Sequence, residues 1–154
     1  MPTILLLFDS RGGLTEQLAD AVAEGVRATP GVTLRHRRLD DAGVDELKQC
    51  AALILGSPNW SGVTGKLKDW MDNSGNLWET GELAGKIGAA FTAGWARSGG
   101  TEATLLQLLH LLFAHGMLVL GLFGVLARAG EAWARGVFVA SIVYLPALFA
   151  LLLL

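Results

Sequence analysis

The chain has 154 residues, a length suited to one domain of ordinary size, and a formal net charge of −2. Hydrophobic residues make up 52% and charged residues 17%, with no cluster of basic side chains, which argues against nucleic acid as a partner and against a strongly acidic electron carrier. The single cysteine, Cys50, excludes an internal disulfide framework and a cysteine-cluster metal site, and reads as a half-buried thiol ahead of a strand.

Residues 3–8 (TILLLF) form a continuous apolar run, as expected of a parallel strand buried on both faces. The run has no basic leader and is too short for a signal peptide, so a cytoplasmic domain is expected. Leu14, Leu18, Val22 and Val26 recur every four residues and predict an amphipathic helix ending near Thr29-Pro30-Gly31. Residues 32–39 alternate apolar and basic side chains, as an edge or near-edge strand does. A polar stretch over 40–50 carries a short helix at 44–49, and residues 51–56 (AALILG) form a second buried strand closed by Gly-Ser-Pro. A helix over 64–72 places Leu67, Trp70 and Met71 on one face. A third central strand follows over 86–92, then a leucine-rich helix over 101–115 closed by Gly116, and a last strand over 117–122.

Such alternation predicts parallel strands joined by crossover helices in an α/β domain. Ligands of open α/β sheets lie beyond the carboxyl ends of the strands, where strand order reverses. Three strand ends open there into loops rich in Gly, Ser, Thr and Pro. The first reads Ser10-Arg11-Gly12-Gly13-Leu14-Thr15. Two glycines allow a tight turn, Ser10 and Thr15 offer hydroxyls, and the helix that starts here adds the positive end of its dipole. These groups suit a phosphate monoester; by themselves they suit a plain strand-to-helix turn equally well. The loop is neither G-x-G-x-x-G nor a Walker loop, which argues against a classical dinucleotide fold and a P-loop ATPase. The second loop, residues 56–63, and the third, residues 92–100, each set an indole (Trp60, Trp95) in a Gly/Ser-rich turn. A flat isoalloxazine ring needs such stacking surfaces and backbone donors. The competing reading has both indoles capping the core beneath their loops.

Across these loops the chain resembles the flavodoxin-like NAD(P)H:quinone oxidoreductases, the tryptophan-repressor-binding-protein type of multimeric flavodoxin. The S-x-x-G-x-x-E loop is met by Ser10, Gly13 and Glu16. The G-[ST]-P-x-x-x-G loop is met by Gly56, Ser57, Pro58 and Gly62, and the later G-x-L-W by Gly75, Leu77 and Trp78. The glycine-rich third loop is met over 92–100, and the segment A/H-H-G-M by Ala114, His115, Gly116 and Met117. The match runs collinearly over about residues 3–122.

The resemblance implies a flavodoxin-like, doubly wound five-stranded parallel sheet of order 2-1-3-4-5. It implies FMN as cofactor, NADH or NADPH as electron donor and a quinone-like acceptor. Phosphate contacts are implied at Ser10, Arg11, Gly12, Gly13, Leu14 and Thr15. Further cofactor contacts are implied at Pro58, Asn59, Trp60, Ser61 and Gly62, and at Thr92, Ala93, Gly94, Trp95, Gly99 and Gly100. His115 takes a flavin-side role and Trp78 a wall on the quinone side; His115 serves equally well as a cation closing a helix. Arg11 and Arg97 stand where a nicotinamide cofactor's phosphates approach. Homo-oligomers are expected as well.

Past Leu122 the chain departs from the family pattern, so residues 1–122 read as the FMN-binding domain and 123–154 as an atypical apolar tail. Residues 136–154 carry no charge and just reach the length of a membrane span. The tail reads as a membrane anchor, a substitute fifth helix on the sheet, or a segment altered in frame and without a role. Two other functions remain open: a non-enzymatic FMN electron carrier and an inactive truncated homologue.

Overall fold

The computed structural model describes residues 1–96 and 99–119. Five parallel strands form one sheet: β1 (Thr3–Phe8), β2 (Thr33–Arg38), β3 (Ala52–Pro58), β4 (Ile87–Ala93) and β5 (Leu118–Val119), in the order β2-β1-β3-β4-β5. The connections are α1 (Leu14–Arg27), α2 (Glu46–Gln49) after a 3-10 turn at Leu39–Asp41, α3 (Gly65–Asp72) followed by α4 (Gly75–Glu79), and α5 (Thr101–Ala114). The expected order and parallel sense are met. β3 runs two residues beyond the predicted end, through Ser57 and Pro58, because both stay in register with Thr92 and Ala93 of β4. Helix α4 was not anticipated. It is only five residues long, and its single buried side chain, Leu77, gives no helical periodicity to read.

Period-two alternation splits the core across the sheet. Leu5, Leu7, Leu53 and Leu55 face one side, where Leu47, Leu67, Met71, Leu108 and Leu112 close over them. Leu6 and Phe8 face the other, against Ala19 and Ala23 of α1. The predicted stripe on α1 is off by one position: Thr15, Ala19 and Ala23 are the buried residues, and Leu14, Leu18, Val22 and Val26 flank them half-buried. Small side chains at the contact let the helix approach the strands closely, while larger ones cover the rim.

No helix among the described residues is long and apolar enough to cross a membrane. The three readings of the 123–154 tail fall on residues outside those described.

Candidate functional site

Strand register brings the three loops together. The β1, β3 and β4 carboxyl ends are neighbours, tied by Asp9 N–H to the Gly56 carbonyl (3.0 Å) and Asn59 N–H to the Ala93 carbonyl (2.8 Å). Between them lies a cleft of 160 Å³. Gly12, Leu14 and Thr15 line it from the first loop, Pro58, Asn59 and Trp60 from the second, and Ala93, Gly94 and Trp95 from the third. That volume is below the roughly 300 Å³ of an enclosing ligand pocket.

The first loop has the features of an anion site. Gly13 caps α1 in the left-handed region (φ 80°), open to glycine without strain, and no side chain accepts from the first-turn N–H groups. Gly100 caps α5 in the same way at φ 84°. In contrast, α3 is closed conventionally, by Thr64 Oγ1 accepting from Leu67 N–H (3.3 Å). Helices α1 and α5, the two longest among the described residues, thus start with N–H groups that no side chain caps. Beside them, the hydroxyls of Ser10 and Thr92 are buried without any partner. A buried hydroxyl left unpaired costs about 1–3 kcal/mol, so two at the carboxyl ends of β1 and β4, on either side of β3, are best explained by a ligand they serve.

Several side chains brace this loop from below. Buried Asp9 accepts from Thr64 Oγ1 (2.6 Å), and Thr64 N–H donates to Ser57 Oγ (3.2 Å). Lys66 stands 3.9 Å from Asp9 and 2.5 Å from Asp40, and its hydrogen bond holds the Asp40 carboxyl below its ordinary range. Arg38 forks onto Glu16 (2.9 and 3.0 Å) and donates to the Ser10 carbonyl (3.1 Å). Glu16, the last residue of the S-x-x-G-x-x-E match, is therefore spent on fixing the loop. Arg38 was missed, since nothing in an alternating strand distinguishes a bracing arginine from a surface one.

At the other end, the core-capping reading fails for both tryptophans. Trp60 is 63% exposed and Trp95 92%, yet each lines the cleft. The Arg11 guanidinium stands 5.8 Å from the centroid of the Trp60 ring, a cation–π contact. Ser61 (φ 60°) and Gly62 build the turn that carries Trp60 and do not line the cleft. Gly94 is fixed by crowding: a Cβ there would lie 2.7 Å from Thr101 Cγ2. Asn59 turns its side chain to neighbouring loops, donating to the Gly99 carbonyl and accepting from Thr104. Arg97 lies outside the described residues.

His115 and Trp78 are not brought to this cleft. His115 ends α5, donates from Nδ1 to the Leu111 carbonyl (2.9 Å), and sets Nε2 2.8 Å from the Ser74 hydroxyl. The following Gly116 and Leu118 bond to Gly85 and Lys86, at the amino end of β4. Seven residues of β4 separate that end from the third loop, about 20 Å at 3.3 Å per residue. Trp78, whose N–H reaches the Ser74 carbonyl, shares the His115 side of the fold and is 59% exposed. Within this chain, His115 makes a helix-end hydrogen bond to the carbonyl four residues back.

A family model described as NADPH-dependent FMN reductase matches residues 2–131, passing beyond Leu122 where the sequence pattern breaks off. A relative from Acidithiobacillus ferrooxidans, named NAD(P)H dehydrogenase (quinone), is 34% identical, with 79% of this chain and 71% of that protein covered. One of the same name from Archaeoglobus fulgidus is 37% identical, covering 79% and 77%. Among solved structures, a WrbA-like flavodoxin from Agrobacterium tumefaciens superposes with a TM-score of 0.64 at 27% identity, over 77% of this chain and 76% of that one. By sequence, strand order and three-loop cleft alike, the chain belongs to the NADPH-dependent FMN reductase family, within the flavodoxin-like fold.

Proposed function

We propose that the protein is an FMN-dependent NAD(P)H oxidoreductase that passes electrons to quinones or similar acceptors. The observation that carries this reading is the pair of buried, unpartnered hydroxyls, Ser10 after β1 and Thr92 near the carboxyl end of β4, together with an α1 start that has no side-chain cap. In this reading Ser10, Thr15 and the N–H groups that open α1 hold the FMN phosphate. Thr92 and the backbone of residues 93–95 face the ring, and Trp60 and Trp95 offer it aromatic surface. When bound, FMN supplies the two-electron exchange between nicotinamide and acceptor; the chain supplies binding and orientation. The exposed indoles leave room beside the ring for an aromatic acceptor, and the Arg11 charge favours the phosphates of the donor.

The names of the curated relatives support the quinone as acceptor. In the same reading, residues 1–122 are the catalytic domain. The test is turnover of NADH and of NADPH by the purified full-length chain with FMN and a benzoquinone. Oxidation of at least one donor that depends on both FMN and quinone is expected. FMN binding with negligible donor oxidation would instead identify an electron carrier. Light scattering on the same sample reads the oligomeric state.

A further inference from the structure

Asn59 lies in the cleft wall, where a side chain from the second loop is expected to touch the ring. Its polar atoms point elsewhere. The backbone N–H donates to the Ala93 carbonyl (2.8 Å), and Nδ2 donates to the Gly99 carbonyl (2.6 Å). Oδ1 accepts from Thr104 Oγ1 (2.8 Å) and from Gly62 N–H (3.4 Å). One residue thus joins both ends of the third loop, the first turn of α5 and the turn that carries Trp60. The packing agrees: Cβ atoms added at Gly94 or Gly99 would lie 3.4 and 3.6 Å from the Asn59 amide nitrogen. Thr104 is fully buried and does not line the cleft.

We infer that Asn59 is a positioning residue that clasps the second and third loops into the shape that receives the ring, acting through Gly99 and Thr104 and not by a hydrogen bond of its own to the ligand. The inference rests on the FMN-binding reading above. An amide is needed because the clasp requires a donor and an acceptor on one short side chain: Gly99 presents a carbonyl, while Thr104 and Gly62 present an O–H and an N–H. Aspartate keeps the acceptor but sets a carboxylate oxygen against the Gly99 carbonyl. Held in advance, the two loops lose little conformational entropy on binding.

Fluorescence quenching of FMN and of riboflavin by the full-length chain tests this, using wild type, Asn59→Ala, Thr104→Val and the double variant, each checked for fold by circular dichroism. Asn59→Ala should raise Kd by about tenfold or more. The factor should be equal for FMN and riboflavin, since the phosphate loop is untouched. Thr104→Val, which removes no group from the cleft, should raise both constants several-fold, and the double variant should be no worse than Asn59→Ala alone. If Thr104→Val leaves both constants unchanged while Asn59→Ala raises them, Asn59 acts by direct contact and the inference falls. It falls equally if wild type binds FMN and Asn59→Ala binds as well. A wild type that fails to quench FMN overturns the proposed function, and the inference with it.

Discussion

Ser10 and Thr92 carry hydroxyls that are buried with no partner, which sets them apart from ordinary core residues. Removing such a group costs the free protein nothing in lost bonds. Ser10→Ala should leave the melting temperature of the FMN-free protein unchanged or slightly raised, while weakening FMN by about tenfold or more, the worth of one hydrogen bond to a charged acceptor. Thermal melts and FMN titration of the same sample check this; a variant that loses stability but not affinity would show that Ser10 serves the fold. His36 makes a different prediction. Its ring packs on Phe8 (centroids 5.2 Å apart) with Nε2 buried and unbonded, and burial pushes its pKa below the ordinary value, against the pull of Asp20. A base with a lowered folded pKa takes up its proton more readily when unfolded, so stability is full above about pH 6.5 and falls as the pH drops through that value. Urea melts between pH 8 and 5 (roughly bracketing that value) should show this slope, and His36→Phe should flatten it. An identical slope in the variant would place the titrating group elsewhere.

Strand ends and helix starts, more than single residues, set where the site forms. Gly56, two residues before the end of β3, has no room for a side chain: a Cβ would lie 2.2 Å from the Phe91 ring of β4. Gly56→Ala should therefore cost about 1–3 kcal/mol of stability through overpacking. Phe91→Leu in the same chain should recover part of the loss. Equal stability of Gly56→Ala and wild type in chemical denaturation would contradict the packing of β3 on β4. The sequence revealed most of this level. The apolar runs at 3–8 and 51–56 suited central strands, and each ended in turn chemistry at the predicted edge. Helix α4 escaped because five residues carry no period, and the buried face of α1 escaped because alanines pack where leucines and valines were expected. The cleft was legible through loop composition, which placed Gly12, Leu14 and Thr15, Pro58 to Trp60, and Ala93 to Trp95 together. The Arg38 brace and the Asn59 clasp were not, because both depend on which residues face each other across 22 to 45 positions of chain. Trp78 and His115 read as site residues by motif alone; the path of the chain carries both to the opposite end of β4.

Among the described residues, the carboxyl edge of the parallel sheet carries uncapped helix starts, two unpaired hydroxyls and a cleft lined by two exposed indoles. No group of three or more metal-ligating side chains occurs among the described residues. In the proposed function the redox chemistry is that of FMN, and the fold's part is to hold it. A ligand that binds only the folded state also stabilises it: FMN at about a hundred times its Kd should add about 2.7 kcal/mol, seen as a rise in melting temperature that riboflavin, lacking the phosphate, matches only in part. The most direct measurement of the central claim is the visible absorption spectrum of the full-length chain loaded with FMN, taken without oxygen before and after NADPH or NADH is added, and again after a quinone. The account predicts that the flavin band bleaches with the nicotinamide and returns with the quinone. A band that the nicotinamides leave unchanged, or a chain that retains no FMN, would contradict it.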